Sequence, residues 1–172
     1  MAHSVELLLD PEADHAIRGV WAALAEAGVR SQAGHRAPSN RPHVTMTVSA
    51  AISSAADAEL TAMASALPLP CRIGAPILFG RGPFTLARLV VPSAELVGLH
   101  AQIYRICVPH MPSGPFGHAA PGHWTPHVTL ARRLQGALLE RAMPLAGEEI
   151  DGTFASLRRW DGDAGREYRL GA

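Results

Sequence analysis

Apolar positions recur in two rhythms along this chain, and the switching between them lays out its elements. Ser4 to Leu9 is a short apolar run that reads as a strand. Asp10 then stands where an N-cap belongs, with Pro11 at the first helical position and Glu12 in the first turn. Ile17, Val20, Trp21, Leu24 and Ala27 follow at helical spacing, and Gly28 supplies a stop. Residues 29–41, rich in Ser, Gly, His, Pro and Asn, read as a loop, and a strand follows over about 43–48. A second helix is predicted from about Ser54 to Leu67, with Leu60, Met63, Ala64 and Leu67 on one side and Pro68 closing it. Cys71–Phe79 and Phe84–Val91 read as strands joined by the turn Gly80-Arg81-Gly82-Pro83. Ser93 caps a third helix reaching about Val108, with Leu96, Leu99, Ile103 and Ile106 inward. Residues 109–125 form a long loop of Pro, Gly and His, the kind of segment that serves as a lid or specificity loop. A strand at about 126–131, a short helix at about 135–143 ended by Pro144, and a closing strand pair, Glu149–Trp160 and Arg166–Leu170, complete the chain.

The same succession of strand, helix, loop, strand, helix and strand occurs twice. Pro42-His43-Val44-Thr45 opens a strand in the first half, and Pro126-His127-Val128-Thr129 opens the matching strand in the second, 84 positions on (127 − 43). The pattern predicts one α+β domain over 1–172, built as a duplicated unit with halves of about 1–83 and 84–172. In a strand, side chains alternate, so His43 and Thr45 share one face, as do His127 and Thr129. Val44, Met46 and Val48 are expected to point the other way, into a core. Two such halves facing each other set both histidines on the walls of one cleft.

Composition narrows the chemistry. The chain of 172 residues is 48% hydrophobic and 17% charged, ample for a real core. Its net charge of zero argues against a protein held on duplex nucleic acid by bulk charge. All fifteen basic residues are arginine. The absence of lysine excludes a lysine Schiff base, a lysine nucleophile taking AMP from ATP, and a phosphate-loop lysine. Arginine suits phosphate through its planar fork of donors. Cys71 and Cys107 have no CxxC spacing and are expected to be reduced, mostly buried thiols. The N-terminus carries no basic region followed by a long apolar core, and no run approaches the ~18 apolar residues of a membrane span. A soluble, cytoplasmic protein is expected, and a monomer.

An imidazole titrates near pH ~6.5, so at neutral pH one histidine can be neutral while a second stays protonated. Two of them across a cleft can act as base and acid on one substrate, each contributing about 10²–10⁴-fold. Phosphodiester hydrolysis needs that combination. The hydroxyls of Thr45 and Thr129 can donate to non-bridging phosphate oxygens, where charge builds.

The paired motifs His43-Val44-Thr45 and His127-Val128-Thr129, the second followed by Leu130-Ala131-Arg132, resemble those of the 2H phosphoesterase superfamily. Within it, the chain looks like the bacterial 2′-5′ RNA ligase / RNA 2′,3′-cyclic phosphodiesterase (LigT-like) family. The resemblance implies a bilobal fold with two antiparallel-type sheets facing a central cleft and helices outside. It implies an enzyme that needs no metal or other cofactor and hydrolyses 2′,3′-cyclic phosphates to 2′-phosphates. Some relatives run the reverse reaction, joining RNA ends through a 2′-5′ bond without ATP. Its partner would be an RNA end bearing a 2′,3′-cyclic phosphate, or a small cyclic nucleotide. Carried over by position, His127 is the base for water and His43 the acid for the leaving oxygen, with the roles swapped in ligation. Thr45 and Thr129 bind the phosphate. Arg132 matches the arginine closing the second motif; by strict alternation it faces away from His127, so it must reach the cleft from the strand end. The first motif departs from the pattern, with Met46 and Val48 where leucine and an aromatic are common. Trp124 is a substitute for stacking on a base, or an ordinary packed tryptophan at a strand start.

Other residues weigh less. His100, His110, His118 and His123 fit no compact zinc pattern and read as solvated loop histidines. Arg36 and Arg41, beside the first motif, are within sequence reach of a substrate phosphate. Arg158 and Arg159 on the closing strand are expected to be solvated. The competing function is a non-catalytic module that binds RNA ends or nucleotides in the same cleft.

Overall fold

The computed structural model describes residues 1–171. The first strand, β1 (His3–Leu9), is buried along its whole length and runs into α1 (Pro11–Glu26). Asp10 makes the junction: its carboxylate accepts from the backbone N–H of Glu12 and of Ala13, both at 2.9 Å. It also accepts from Thr153 N at 2.5 Å, which ties the helix start to a distant strand. Burial pushes the Asp10 carboxyl up, and these hydrogen bonds outweigh it, holding the group below the usual carboxylate range. The helix ends where Gly28 takes a positive φ of 79°. Then follow β2 (His43–Ser49), α2 (Asp57–Met63), β3 (Leu69–Phe79), β4 (Phe84–Val90) and α3 (Ala94–Cys107), which Ser93 caps through Leu96 N. The chain closes with β5 (His127–Leu134), α4 (Leu139–Ala142), β6 (Ile150–Asp161) and β7 (Arg166–Leu170).

Two predicted helices are shorter than their apolar spacing suggests. Around α2 the turns at Ser54–Ala56 and Ala64–Ala66 are 3₁₀, and α4 is a single α-turn between two 3₁₀ segments. Pro144 does not end that segment. It sits in the first turn of the last 3₁₀ stretch, where no intrahelical N–H is required of it, and Gly147 at φ 87° makes the stop.

All seven strands join one antiparallel sheet in the order β1-β2-β5-β4-β3-β6-β7, and β1 also pairs with β6. β6 serves both regions of the sheet. Its residues Ile150–Phe154 pair with β3, and Phe154–Trp160 pair with β1 while β7 lies on their other side. β3, likewise, leaves β2 behind and pairs with β4. Each copy of the repeat therefore lends its third strand to the other. β2 and β5 touch at one pair, Val44↔Val128, which are equivalent residues of the two motifs. The ring of pairings closes there, and the strands splay on either side of that contact.

Helices α1 and α3 cover the sheet with Ile17, Trp21 and Leu24, and with Leu96, Leu99 and Ile103, all buried. Cys71 and Cys107 are free and buried, and burial pushes both thiols up to about 12. Two expectations are corrected. His100 is no loop residue: it lies within α3, 1% exposed, with Nε2 3.0 Å from Ala119 O. Arg158 and Arg159 are each 3% exposed. Arg158 pairs with Glu6 and Glu167, and Arg159 with Asp57 at 2.6 Å, so their charges are neutralised inside the fold. The 109–125 segment is ordered along β2, where Phe116 N donates to Val48 O at 2.9 Å and Ser49 Oγ to Gly114 O at 2.7 Å. Among the described residues, no helix is long and apolar enough to cross a membrane.

Candidate active site

A straight β2 would group Val48 with Val44, and a straight β5 would group Arg132 with Val128. Neither strand is straight. Pairing with β1 steps from Glu6↔Thr45 to Val5↔Thr47, leaving Met46 as an extra residue. Pairing with β4 steps from Ala87↔Thr129 to Leu86↔Ala131, leaving Leu130 as its counterpart. A bulge of one residue shifts the alternation by one. Thr47 and Ala131 consequently turn inward and are fully buried, while Val48 and Arg132 rejoin the face that carries the His and Thr side chains. Two expectations are corrected by this. Val48 lines the cleft rather than the core, and Arg132 enters it from within β5, which continues to Leu134.

The carbonyls next to the bulges are held from outside the sheet. Trp21 Nε1 donates to Thr129 O at 3.0 Å, and Trp124 Nε1 donates to Thr45 O at 2.9 Å. One face of Trp124 is stacked on His100, with centroids 3.9 Å apart and planes 5° from parallel. That face is closed to a nucleobase, and the rest of the residue borders the cleft.

The one β2–β5 contact decides how the motifs meet. Extending Val44↔Val128 by a step in each direction sets His43 against Thr129 and Thr45 against His127. A cleft of about 730 Å³ opens there, bordered by His43, Thr45, His127, Arg132 and Trp124. Thr129 lines a recess of about 40 Å³ shared with His43 and Arg132. All six residues singled out from sequence thus come to one place. His118 and His123 border the cleft as well, whereas Arg36 borders none of these cavities. Beyond His43 the surface continues into a groove of about 530 Å³ that includes Arg41, Arg132 and Trp160.

Both rings are oriented alike. His43 Nδ1 lies 2.7 Å from Arg41 O and His127 Nδ1 lies 2.7 Å from Thr125 O. A carbonyl only accepts, so Nδ1 carries the proton in each ring. The neutral form then has its lone pair on Nε2, free to take a proton.

Their surroundings differ. Glu6 Oε1 is 3.6 Å from His43 Nε2. Burial pushes the Glu6 carboxyl up. His43, Arg158 and Ser4 outweigh that and hold it below the usual carboxylate range. Around His127, Phe79 packs with ring centroids 4.6 Å apart, and Ala87 occupies the place opposite the threonine that Glu6 holds in the first motif. Burial lowers the His127 ring below the ordinary histidine value; donation to Thr125 O opposes this, and Arg132, His43 and His118 reinforce it. Sequence reasoning missed Glu6, Phe79 and Phe116. Glu6 left a signal, the one charge in the apolar run Ser4–Leu9. The two phenylalanines left none, since each reaches the cleft through tertiary folding.

Comparison with known proteins gives the family and the fold. The sequence model of the 2′-5′ RNA ligase superfamily matches residues 10–165. No curated protein matches the chain in sequence. Among solved structures, Escherichia coli LigT, crystallised with 3′-AMP, is 14% identical, with 97% of this chain and 91% of that one aligned at a TM-score of 0.51. Usb1 of Kluyveromyces marxianus is also 14% identical, with 98% and 97% aligned at a TM-score of 0.49. At such identity the likeness to LigT speaks to the fold alone. The family match spans both His-x-Thr motifs and strands β2 to β6, and the chain belongs to the 2′-5′ RNA ligase superfamily.

Proposed function

We propose that this protein hydrolyses 2′,3′-cyclic phosphates to 2′-phosphates by paired-histidine catalysis, with His127 as base and His43 as acid. The observation that carries the reading is the pair of imidazoles on one cleft, each with Nδ1 on a backbone carbonyl and with Nε2 making no hydrogen bond among the described residues. His127 Nε2 takes a proton from water as the water oxygen bonds to phosphorus. The bond from phosphorus to O3′ breaks, and the proton on His43 Nε2 passes to O3′. The product is a 2′-phosphomonoester with a free 3′-hydroxyl, and the two rings exchange their protons with solvent to reset. Thr45, Thr129 and Arg132 donate to the non-bridging oxygens, which gain charge in the transition state. With a 5′-hydroxyl in place of water, O5′ bonds to phosphorus as the bond to O3′ breaks, so the same site makes a 2′-5′ bond with His127 still the base and His43 still the acid; the roles swap only when that bond is cleaved back to the cyclic phosphate.

The acid assignment also orients the substrate. O3′ belongs to the terminal ribose, so that ribose lies on the His43 side and the rest of an RNA strand runs into the groove of Arg41, Arg132 and Trp160. This favours an RNA end over a free cyclic mononucleotide. Incubation with adenosine 2′,3′-cyclic phosphate and with a cyclic-ended trinucleotide, each in excess EDTA, tests the proposal. Turnover to the 2′-phosphate is expected for both, with higher kcat/KM on the trinucleotide. Binding without turnover would leave the competing reading, a nucleotide-binding module; activity abolished by EDTA would overturn the metal-free mechanism.

A further inference from the structure

We infer that Glu6 is the residue that makes His43 the acid of the pair, by stabilising its imidazolium through a buried ion cluster one positive charge short. The inference rests on the phosphodiesterase reading for its catalytic meaning and on geometry for its substance. With Nδ1–H fixed on Arg41 O, a neutral His43 turns the Nε2 lone pair toward Glu6 Oε1, 3.6 Å away. Two electron-rich atoms then face each other. Protonation of Nε2 replaces that repulsion with an attraction, so the carboxylate selects the charged ring.

The charge count points the same way. Glu6 is 4% exposed, and its Oε2 accepts from Arg158 Nε at 2.7 Å. Arg158 also donates to Glu167 Oε2 at 2.5 Å. Two carboxylates thus share one guanidinium, and the imidazolium of His43 supplies the missing positive charge. Ser4 Oγ donates to Glu6 Oε1 at 2.6 Å, which anchors the carboxylate without neutralising it. The other charged or titratable groups around His43 oppose the imidazolium whenever they are charged: Arg132 and His127 from β5, Arg41 and His35 from the loop before β2, and His118 and His123 from the segment before β5. Arg132 is solvent-exposed and screened, whereas the Glu6 carboxylate is buried and in near contact. On the other wall Ala87 stands in the equivalent place, so His127 has no such partner.

Glu6 does not touch the reacting atoms; it is a positioning residue acting through His43. The test is Glu6→Gln, read by the pH profile of kcat and by NMR titration of the histidine rings in the whole protein. The alkaline limb, where the acid is lost, is expected to move about one pH unit lower, with the acid limb in place. The His43 ring signal is expected to move to its neutral position at correspondingly lower pH, and His127 to stay. Unmoved limbs and an unmoved His43 titration would overturn the inference, as would a uniform loss of kcat with the profile unchanged. Should Glu6→Gln not fold, Glu167→Gln removes the other carboxylate from a more exposed place. It should shift the same limb and the same ring in the same direction by less, and no shift would overturn the inference. The titration needs no substrate, so a wild-type protein without turnover would sink the phosphodiesterase reading and leave the Glu6 pairing decided on its own.

Discussion

Around His43 the backbone follows the same course as around His127. In each place the ring donates Nδ1–H to the carbonyl two residues back, a bulge follows three positions on, and an indole N–H meets the carbonyl of the threonine. The charges part company. The His43 wall holds a buried carboxylate tied to Arg158; the His127 wall holds Phe79, Arg132 and an alanine where the carboxylate would be. A duplicated scaffold places two identical groups symmetrically, and symmetry alone gives two rings with the same protonation. Acid–base catalysis at one pH needs them unlike. On the proposed mechanism the contrast between the walls supplies that difference, and substitutions on either wall put it to trial.

The largest effect is expected from the rings themselves. His43→Ala and His127→Ala should each lower kcat by about 10²–10⁴-fold. The variants should also differ in shape. His127 is depressed below the ordinary histidine value of about 6.5, so the base is lost as pH falls through a point on the acid side of it. His127→Ala should erase that acid limb and keep the alkaline one, and His43→Ala the reverse. Loss of the same limb in both variants would break the division of labour.

Next comes Arg158→Met. It strands Glu6 and Glu167 without their shared cation inside the fold, and removing one partner of a buried pair costs about 3–5 kcal/mol. A denaturant titration should show a loss of that order. Arg132→Gln should leave stability nearly unchanged, because Arg132 is exposed. It should instead lower kcat by about 10²-fold through the lost donor to phosphate. It also removes one of the charges holding His127 down, so the ring's value rises and the acid limb moves to higher pH. A limb that stayed put would show that burial against Phe79 sets the His127 ring by itself.

Much of this arrangement is legible in the sequence, and the parts that are not share a cause. The motif faces follow from two-residue alternation, and the caps at Asp10 and Ser93 follow from side-chain chemistry next to apolar runs. The halves repeat the same order of elements visibly. The bulges at Met46 and Leu130 are invisible, because an extra apolar residue in an apolar strand leaves no mark on the pattern. With them went the true facing of Val48 and Arg132. The exchange of β3 and β6 is a choice of pairing partner, which local periodicity does not encode. Arg158 reads as a surface residue because its partners lie 152 positions away in Glu6 and 9 away in Glu167. A lone charge in an apolar run, such as Glu6 in Ser4–Leu9, demands a buried counter-charge, and that demand is visible in the order of residues even where the partner is not.

The smallest effects separate the two tryptophans that brace the walls. Trp21→Phe and Trp124→Phe each delete an indole N–H and leave a threonine carbonyl without its donor, at about 1 kcal/mol apiece. On stability alone the walls should look alike. On substrate they should not. Trp21 borders the small recess and not the main cleft, while Trp124 borders the main cleft and keeps His100 stacked behind it. Trp124→Phe should therefore raise KM for a cyclic-ended oligonucleotide, and Trp21→Phe should leave KM where it is. Equal KM in both variants would make Trp124 a brace and nothing more, with nucleobase contact left to Phe79 and Phe116 on the open sides of the cleft. A rise in KM confined to Trp124→Phe would assign its exposed edge to the substrate, opposite in role to the tryptophan that matches it across the Val44–Val128 contact.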